Sequence, residues 1–163
     1  MELLKITKDI ASKASEVYAV SWKTAYKNIV PQKYLDELSL EWWTPLLLDS
    51  SRAGYVLKDD DDFIAAASIA PAREEKMNGW GEIISIYVLP KYFNQGYGKK
   101  LLEFAVDTLG KNGFDNIYLW VLEENQQARR FYERNGFFPN GDKGAITIGG
   151  KELVEVRYVH TNK

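Results

Sequence analysis

The sequence predicts an α/β domain: a mixed sheet, parallel at its centre, with helices on both faces. Three features carry that expectation. "WGEIISIYVLP" (80–90) and "NIYLWVL" (116–122) are near-continuous apolar runs, as strands buried on both faces require. Leu101, Leu102, Ala105, Val106 and Leu109, then Ala128, Phe131 and Tyr132, recur at helical spacing behind them. The resulting order of strand, helix, strand, helix, strand in the second half is the order that parallel pairing needs.

From the start of the chain, "LLKIT" reads as a short first strand. Ile10, Ala14, Val17, Ala19, Val20 and Trp22 then repeat at roughly helical spacing, so a helix is expected from Lys8 to about Lys27. "NIVPQ" breaks it, and Pro31 can open a second, short helix through Leu38. "SLEWWTPLLLDSS" reads as helical despite Pro45, with Ser39 or Thr44 as the capping residue. "AGYVLK" and "FIAAASIA" flank four aspartates, 59–62. These lack the spaced ligands, central Gly and closing Glu of an EF-hand, so they read as a hairpin turn. "PAREEKMNG" is a polar loop. Gly113 ends the helix that starts near residue 99, Asn125 can cap the next, and Gly136 stops it. "AITIGGKELVEVRYV" reads as a hairpin turning at Gly149–Gly150.

The totals restrict function. At 163 residues the chain reads as one domain, 1–163, and 45% hydrophobic with 27% charged residues excludes disorder. A net charge of −2 argues against a dedicated nucleic-acid binder. With no cysteine, a disulfide framework, a thiolate metal site and a cysteine nucleophile are excluded. The single histidine, His160, cannot build a zinc site alone and reads as a surface residue. "MELLKITKDIASKAS" lacks the plan of a signal peptide, and no apolar run reaches membrane-spanning length. A cytoplasmic protein with no membrane partner is expected.

One stretch asks for a chemical explanation. "YFNQGYGKKLLEFAV" (92–106) places Gly96 and Gly98 where a helix begins, although glycine weakens helices. A helix N-terminus exposes unpaired N–H groups and attracts anions, and glycines let backbone approach a phosphate closely. The same glycines could equally serve turn geometry in an ordinary strand-to-helix connection. Neither the G-x-G-x-x-G dinucleotide fingerprint nor the P-loop fits, because Leu101 stands at the third glycine and "GYGKK" offers no Ser or Thr.

"GEIISIYVLPKYFNQGYGKKLL" followed by "NQQARRFYERNGFF" resembles the GNAT superfamily of N-acetyltransferases, clearly over roughly residues 80–138. "SWKTAYKNIVPQKYLDELS" is also similar to the start of bacterial members. The resemblance implies a GNAT-like fold and acetyl-CoA as acetyl donor. It implies a loop of Gln95, Gly96, Tyr97, Gly98, Lys99 and Lys100 on the pyrophosphate. It also implies that the strand ending at Tyr87 and Val88 pairs with the pantetheine arm, that Asn125 hydrogen-bonds that arm, and that Tyr132 points at the sulfur. The chain departs from the pattern at Phe93, where the family usually has Arg or Gln, and at Asn94, a frequent Gly. Gln95, Lys99 and Lys100 are the candidates for the missing polar contact.

Acetyl transfer to an amine needs a neutral nucleophile, donors for the developing oxyanion, and a proton for the departing thiolate. Tyr132 is the candidate acid. Glu82 is the candidate base: period-two counting puts it on one face with Ile84, Ile86 and Val88, where apolar neighbours should raise its pKa. It also resembles the strand glutamate used as base in some members. The oxyanion donor is expected to be a backbone N–H near Tyr87 or Val88. Trp22 and Tyr26 fall where the family forms its acceptor pocket, and are equally good core residues. The expected activity is direct acetyl transfer to a primary amine, most naturally of a small molecule. The alternatives are a protein or peptide acetyltransferase and a non-catalytic CoA-binding module. No metal is expected, and a homodimer is possible.

Overall fold

In the computed structural model, which describes residues 1–161, seven strands form one sheet. They are β1 (Glu2–Lys5), β2 (Ala53–Asp59), β3 (Asp62–Pro71), β4 (Gly81–Val88), β5 (Asn116–Leu122), β6 (Phe138–Ile148) and β7 (Lys151–Thr161). Their spatial order is β1-β2-β3-β4-β5-β7-β6. Every neighbouring pair is antiparallel except β4–β5 at the centre, so the mixed sheet with a parallel centre is found as expected.

Helices cover both faces. On one side α1 (Ala11–Ala25) buries Ala14, Val17 and Tyr18 with Val56 of β2 and Ala66 of β3. On the other, α4 (Tyr97–Lys111) and α5 (Gln126–Arg134) bury Leu102, Ala105, Leu109 and Tyr132 against Ile83, Leu119 and Tyr158. The run Ala65–Ala67 explains how β3 sits between two layers. Ala66 meets the α1 side, Ala65 and Ala67 pack with Leu101 of α4, and small side chains let both helices come close. Two short helices, α2 (Gln32–Asp36) and α3 (Thr44–Leu47), pack on α1, with the Ser15 hydroxyl of α1 donating to the Leu40 carbonyl and accepting from the Trp43 N–H just before α3.

Local signals set many boundaries. Asn125 caps α5 by accepting from the Ala128 N–H at 3.2 Å. Gly149 and Gly150, at φ +59° and +81°, make the two-residue turn between β6 and β7. Asp60 and Asp61 form the turn between β2 and β3, with Asp59 paired to Asp62. Three details differ from expectation. Neither Ser39 nor Thr44 caps α3: Trp43 holds that position, and the Ser39 and Thr44 hydroxyls bond the Glu41 backbone and carboxylate instead. β6 begins at Phe138, before the expected hairpin, with its register shifting between Pro139 and Lys143. His160 is half-buried, with its ring stacked on Phe137 and Nδ1 3.1 Å from the Gly136 carbonyl.

Candidate active site

The central parallel pair is brief. β4 and β5 are in register only at Gly81 with Ile117 and Glu82 with Tyr118. Beyond these they part, and a cleft of 870 Å³ occupies the gap. It touches both faces of the sheet. Gly96, Gly98, Phe131 and Tyr132 line it from the α4–α5 side, and Ser21, Trp22, Tyr26 and Glu155 from the α1–β7 side.

At the first end, Gly96 is the N-cap of α4 with φ +84°. Nothing lies within 4 Å of where its Cβ would be, so its requirement is the left-handed backbone itself. Asn94 is also left-handed, at φ +61°, which asparagine tolerates better than most residues and which accounts for its standing at a frequent Gly. Gly98 serves differently. A Cβ there would lie 3.2 Å from Phe131 Cε1 and 3.5 Å from Val88 Cγ2, so its missing side chain lets α4 close onto α5 and β4. The Lys100 N–H is bonded to the Gly96 carbonyl at 3.1 Å, and the preceding first-turn N–H groups have no helical acceptor. Lys99 lines the cleft, as do Phe93, Asn94 and Tyr97. Gln95 and Lys100 do not; Gln95 Nε2 donates to the Lys91 carbonyl at 3.3 Å.

Glu82 departs from the expectation. A bulge at Ile84, where Ile83 faces Ile69 but Ser85 faces Ser68, breaks the period-two count. Ile83, Ile86 and Val88 therefore pack toward α4, while Ser85 and Tyr87 meet α1. Glu82 lies opposite Ile83, 2% exposed, in a polar cage. Its Oε1 accepts from the Arg73 N–H, Arg73 Nε and Tyr118 Oη at 3.2, 3.0 and 2.9 Å, and its Oε2 from Arg73 Nη2 at 2.6 Å. Burial pushes the carboxyl up, but the hydrogen bonds and charge of Arg73, with the Tyr118 hydroxyl, outweigh it and hold the group below the usual carboxylate range. The expected raised pKa is overturned by an arginine that sequence pattern placed in a plain loop.

Tyr132 sits mid-cleft on the buried face of α5, packed by Phe131, Phe137 and Tyr158. Burial, with a smaller push from nearby Tyr26, raises its phenol above the ordinary value. Tyr26 and Tyr87 share a hydrogen bond at 3.0 Å, and burial raises both. Trp22 lines the cleft and packs on Tyr26 and Trp43. Tyr87, Val88 and Asn125 also reach the cleft. Sequence reasoning missed Arg73, Glu74, Trp120 and Glu155. Glu74 accepts from Trp120 Nε1 at 2.6 Å and pairs with Arg157, which also holds Asp142. No local pattern links residues 73–74 to 155–157; only the fold joins them.

A family model described as the acetyltransferase (GNAT) family matches residues 15–137. The chain belongs to that family. It is a GNAT N-acetyltransferase, and its relatives agree in kind. An uncharacterized N-acetyltransferase of Bacillus subtilis, YuaI, is 32% identical over 124 residues, covering 75% of this chain and 69% of the relative. A spermidine N(1)-acetyltransferase of Thermoplasma acidophilum is 25% identical over 162 residues, 97% of this chain and 98% of that one. The structure of the PaiA N-acetyltransferase of T. acidophilum, solved with coenzyme A, matches with a TM-score of 0.75 at 22% identity over 98% of both chains. That likeness extends the GNAT fold from the first strand to the last.

The residues of this GNAT chain suit a CoA thioester. The α4 start presents unpaired N–H groups beside Lys99, and β4 beyond Glu82 is free of β5 along the edge facing the cleft. Such a ligand supplies an activated acetyl group and a thiolate leaving group. The chain must supply the anion cradle, the orientation and the proton traffic.

Proposed function

We propose that this enzyme acetylates a primary amine of a small molecule by direct transfer from acetyl-CoA. The observation that carries the reading is a single cleft joining both faces of the sheet through the β4–β5 gap, with Tyr132 midway. The donor belongs on the α4–α5 side, where first-turn N–H groups and Lys99 favour its phosphates. Asn125 stands at that side as α5's cap. The amine enters from the α1–β7 side, past Trp22 and Tyr26.

Tyr132 holds the proton that the departing sulfur needs. Its raised pKa keeps the phenol protonated through the neutral range, and its packing fixes the ring. Absence of cysteine favours direct attack over an acetylated thiol on the protein. Similarity to a spermidine acetyltransferase along almost the whole chain favours a small cationic amine over a protein N-terminus. The deciding experiment is a panel of polyamines, amino sugars, amino acids and peptides incubated with acetyl-CoA, reading free thiol and acetylated product. Thiol release confined to small amines supports the proposal. Release with peptides only moves the enzyme to the protein-modifying alternative, and acetyl-CoA binding without turnover on any amine leaves the CoA-binding module.

A further inference from the structure

We propose that Glu155, on β7, takes the proton from the acceptor ammonium in this transfer. The inference rests on the functional reading above and adds a residue to it. Three carboxylates line the cleft: Glu74, Glu82 and Glu155. A base needs a free lone pair facing its substrate. Glu82 spends both oxygens on Arg73 and Tyr118, and using it would break a buried ion pair. Glu74 is occupied by Trp120 and Arg157. Glu155 alone has no hydrogen-bond donor among the described residues.

Its surroundings fit the task. Glu155 is half-buried on the α1 side of the gap, the side assigned to the amine. It is paired across the sheet with Leu122 of β5 and Gly144 of β6. A Cβ at Gly144 would lie 3.3 Å from Glu155 Oε1, so the glycine leaves the carboxylate its room. The charged groups facing it are Glu74 and Arg73 from the β3–β4 loop, Glu82 of β4 and Arg157 of its own strand. Burial and the two other carboxylates push the group up against the pull of the arginines, and the outcome is a raised pKa. That brings a carboxylate nearer the working pH of a base. The arginines are themselves engaged, Arg73 by Glu82 and Arg157 by Glu74 and Asp142, so an incoming ammonium meets a carboxylate with no resident counter-ion.

The protons balance. Glu155 takes one from the ammonium and passes it to solvent. The amine nitrogen then forms its bond to the acetyl carbon as the carbon–sulfur bond breaks. The sulfur receives the Tyr132 proton, and the second proton shed by nitrogen restores the phenol. One proton leaves overall.

Two measurements test the assignment. In carboxyl ¹³C NMR titrations of the free protein, a glutamate titrating above the ordinary range should vanish in Glu155→Gln and persist in Glu82→Gln. If Glu155→Gln removes only an ordinary resonance, the proposal fails. With an amine from the panel, Glu155→Gln should lower kcat/KM by about 10²–10⁴-fold at neutral pH and recover toward wild type as the amine deprotonates unaided near pH 10, with acetyl-CoA affinity unchanged by calorimetry. Glu155→Asp should restore part of the loss. Wild-type turnover in Glu155→Gln at neutral pH overturns the assignment while leaving the acetyltransferase reading intact. A wild type that binds acetyl-CoA and acetylates none of the amines overturns both.

Discussion

In the proposed mechanism the Tyr132 phenol stays protonated until a thiolate forms beside it, and burial favours the protonated form. With its pKa raised, no titration of Tyr132 should shape the kcat profile between about pH 6 and 9. Tyr132→Phe keeps the ring among Phe131, Phe137 and Tyr158 and removes only the hydroxyl. Turnover should fall roughly ten- to a thousand-fold with acetyl-CoA affinity nearly unchanged, read by steady-state rates beside calorimetry. The Glu82–Arg73 pair bears on stability. The folded pKa of Glu82 is depressed, so the pair with Arg73 stabilises the fold above the unfolded value near ~4.3 and loses that contribution as pH falls through the folded value. Glu82→Gln should destabilise the domain at pH 7 by about 1–3 kcal/mol and flatten the acid limb of a denaturation-midpoint profile. A variant with the wild-type acid limb would show that the pair contributes nothing through ionisation.

At the scale of elements, the glycine loop separates two requirements that look alike in sequence. Gly96 needs a left-handed backbone with open space around it, whereas Gly98 needs room for Phe131. Gly96→Ala should cost about 1–2 kcal/mol and loosen the first turn of α4, lowering acetyl-CoA affinity more than its stability loss would suggest. Gly98→Val should displace Phe131 and lower the melting temperature even without ligand, so a weakened cofactor would not by itself prove a phosphate clash. Melting scans of both variants with and without acetyl-CoA separate the cases. The turn at Gly149–Gly150, the Asn125 cap and the strands around 81–88 and 116–122 were legible because each is fixed by a few neighbouring residues. The bulge at Ile84 was not, since it is set by register against β3. Period-two counting therefore puts Glu82 on the wrong face. Arg73 and Glu155 carry no local signature either, being 82 positions apart in the chain and joined only through the sheet.

The whole molecule is two antiparallel half-sheets, β1–β4 and β5-β7-β6, with a short seam of parallel register between them. On one face α4 and α5 tie the halves through the cluster of Ile83, Leu102, Leu119 and Tyr132, and beyond the seam the cleft, which Ile83, Leu119 and Tyr132 also line, separates them. A ligand lying in that gap would touch β4 on one side and β5 with α5 on the other, substituting for the strand contacts that the splay removes. Binding only the native state, it must stabilise by mass action: at 100 times its Kd, acetyl-CoA adds about 2.7 kcal/mol. For a domain of this size that corresponds to a rise of about 5–10 °C in Tm. The gain should also be local. Amide exchange should slow most at the cleft ends of β4 and β5 and in the first turn of α4, while β1 and the β6 edge change little. Uniform slowing would mean that the ligand acts on global stability alone, and no slowing at β4, with Tm unmoved at millimolar acetyl-CoA, would remove the donor from this cleft.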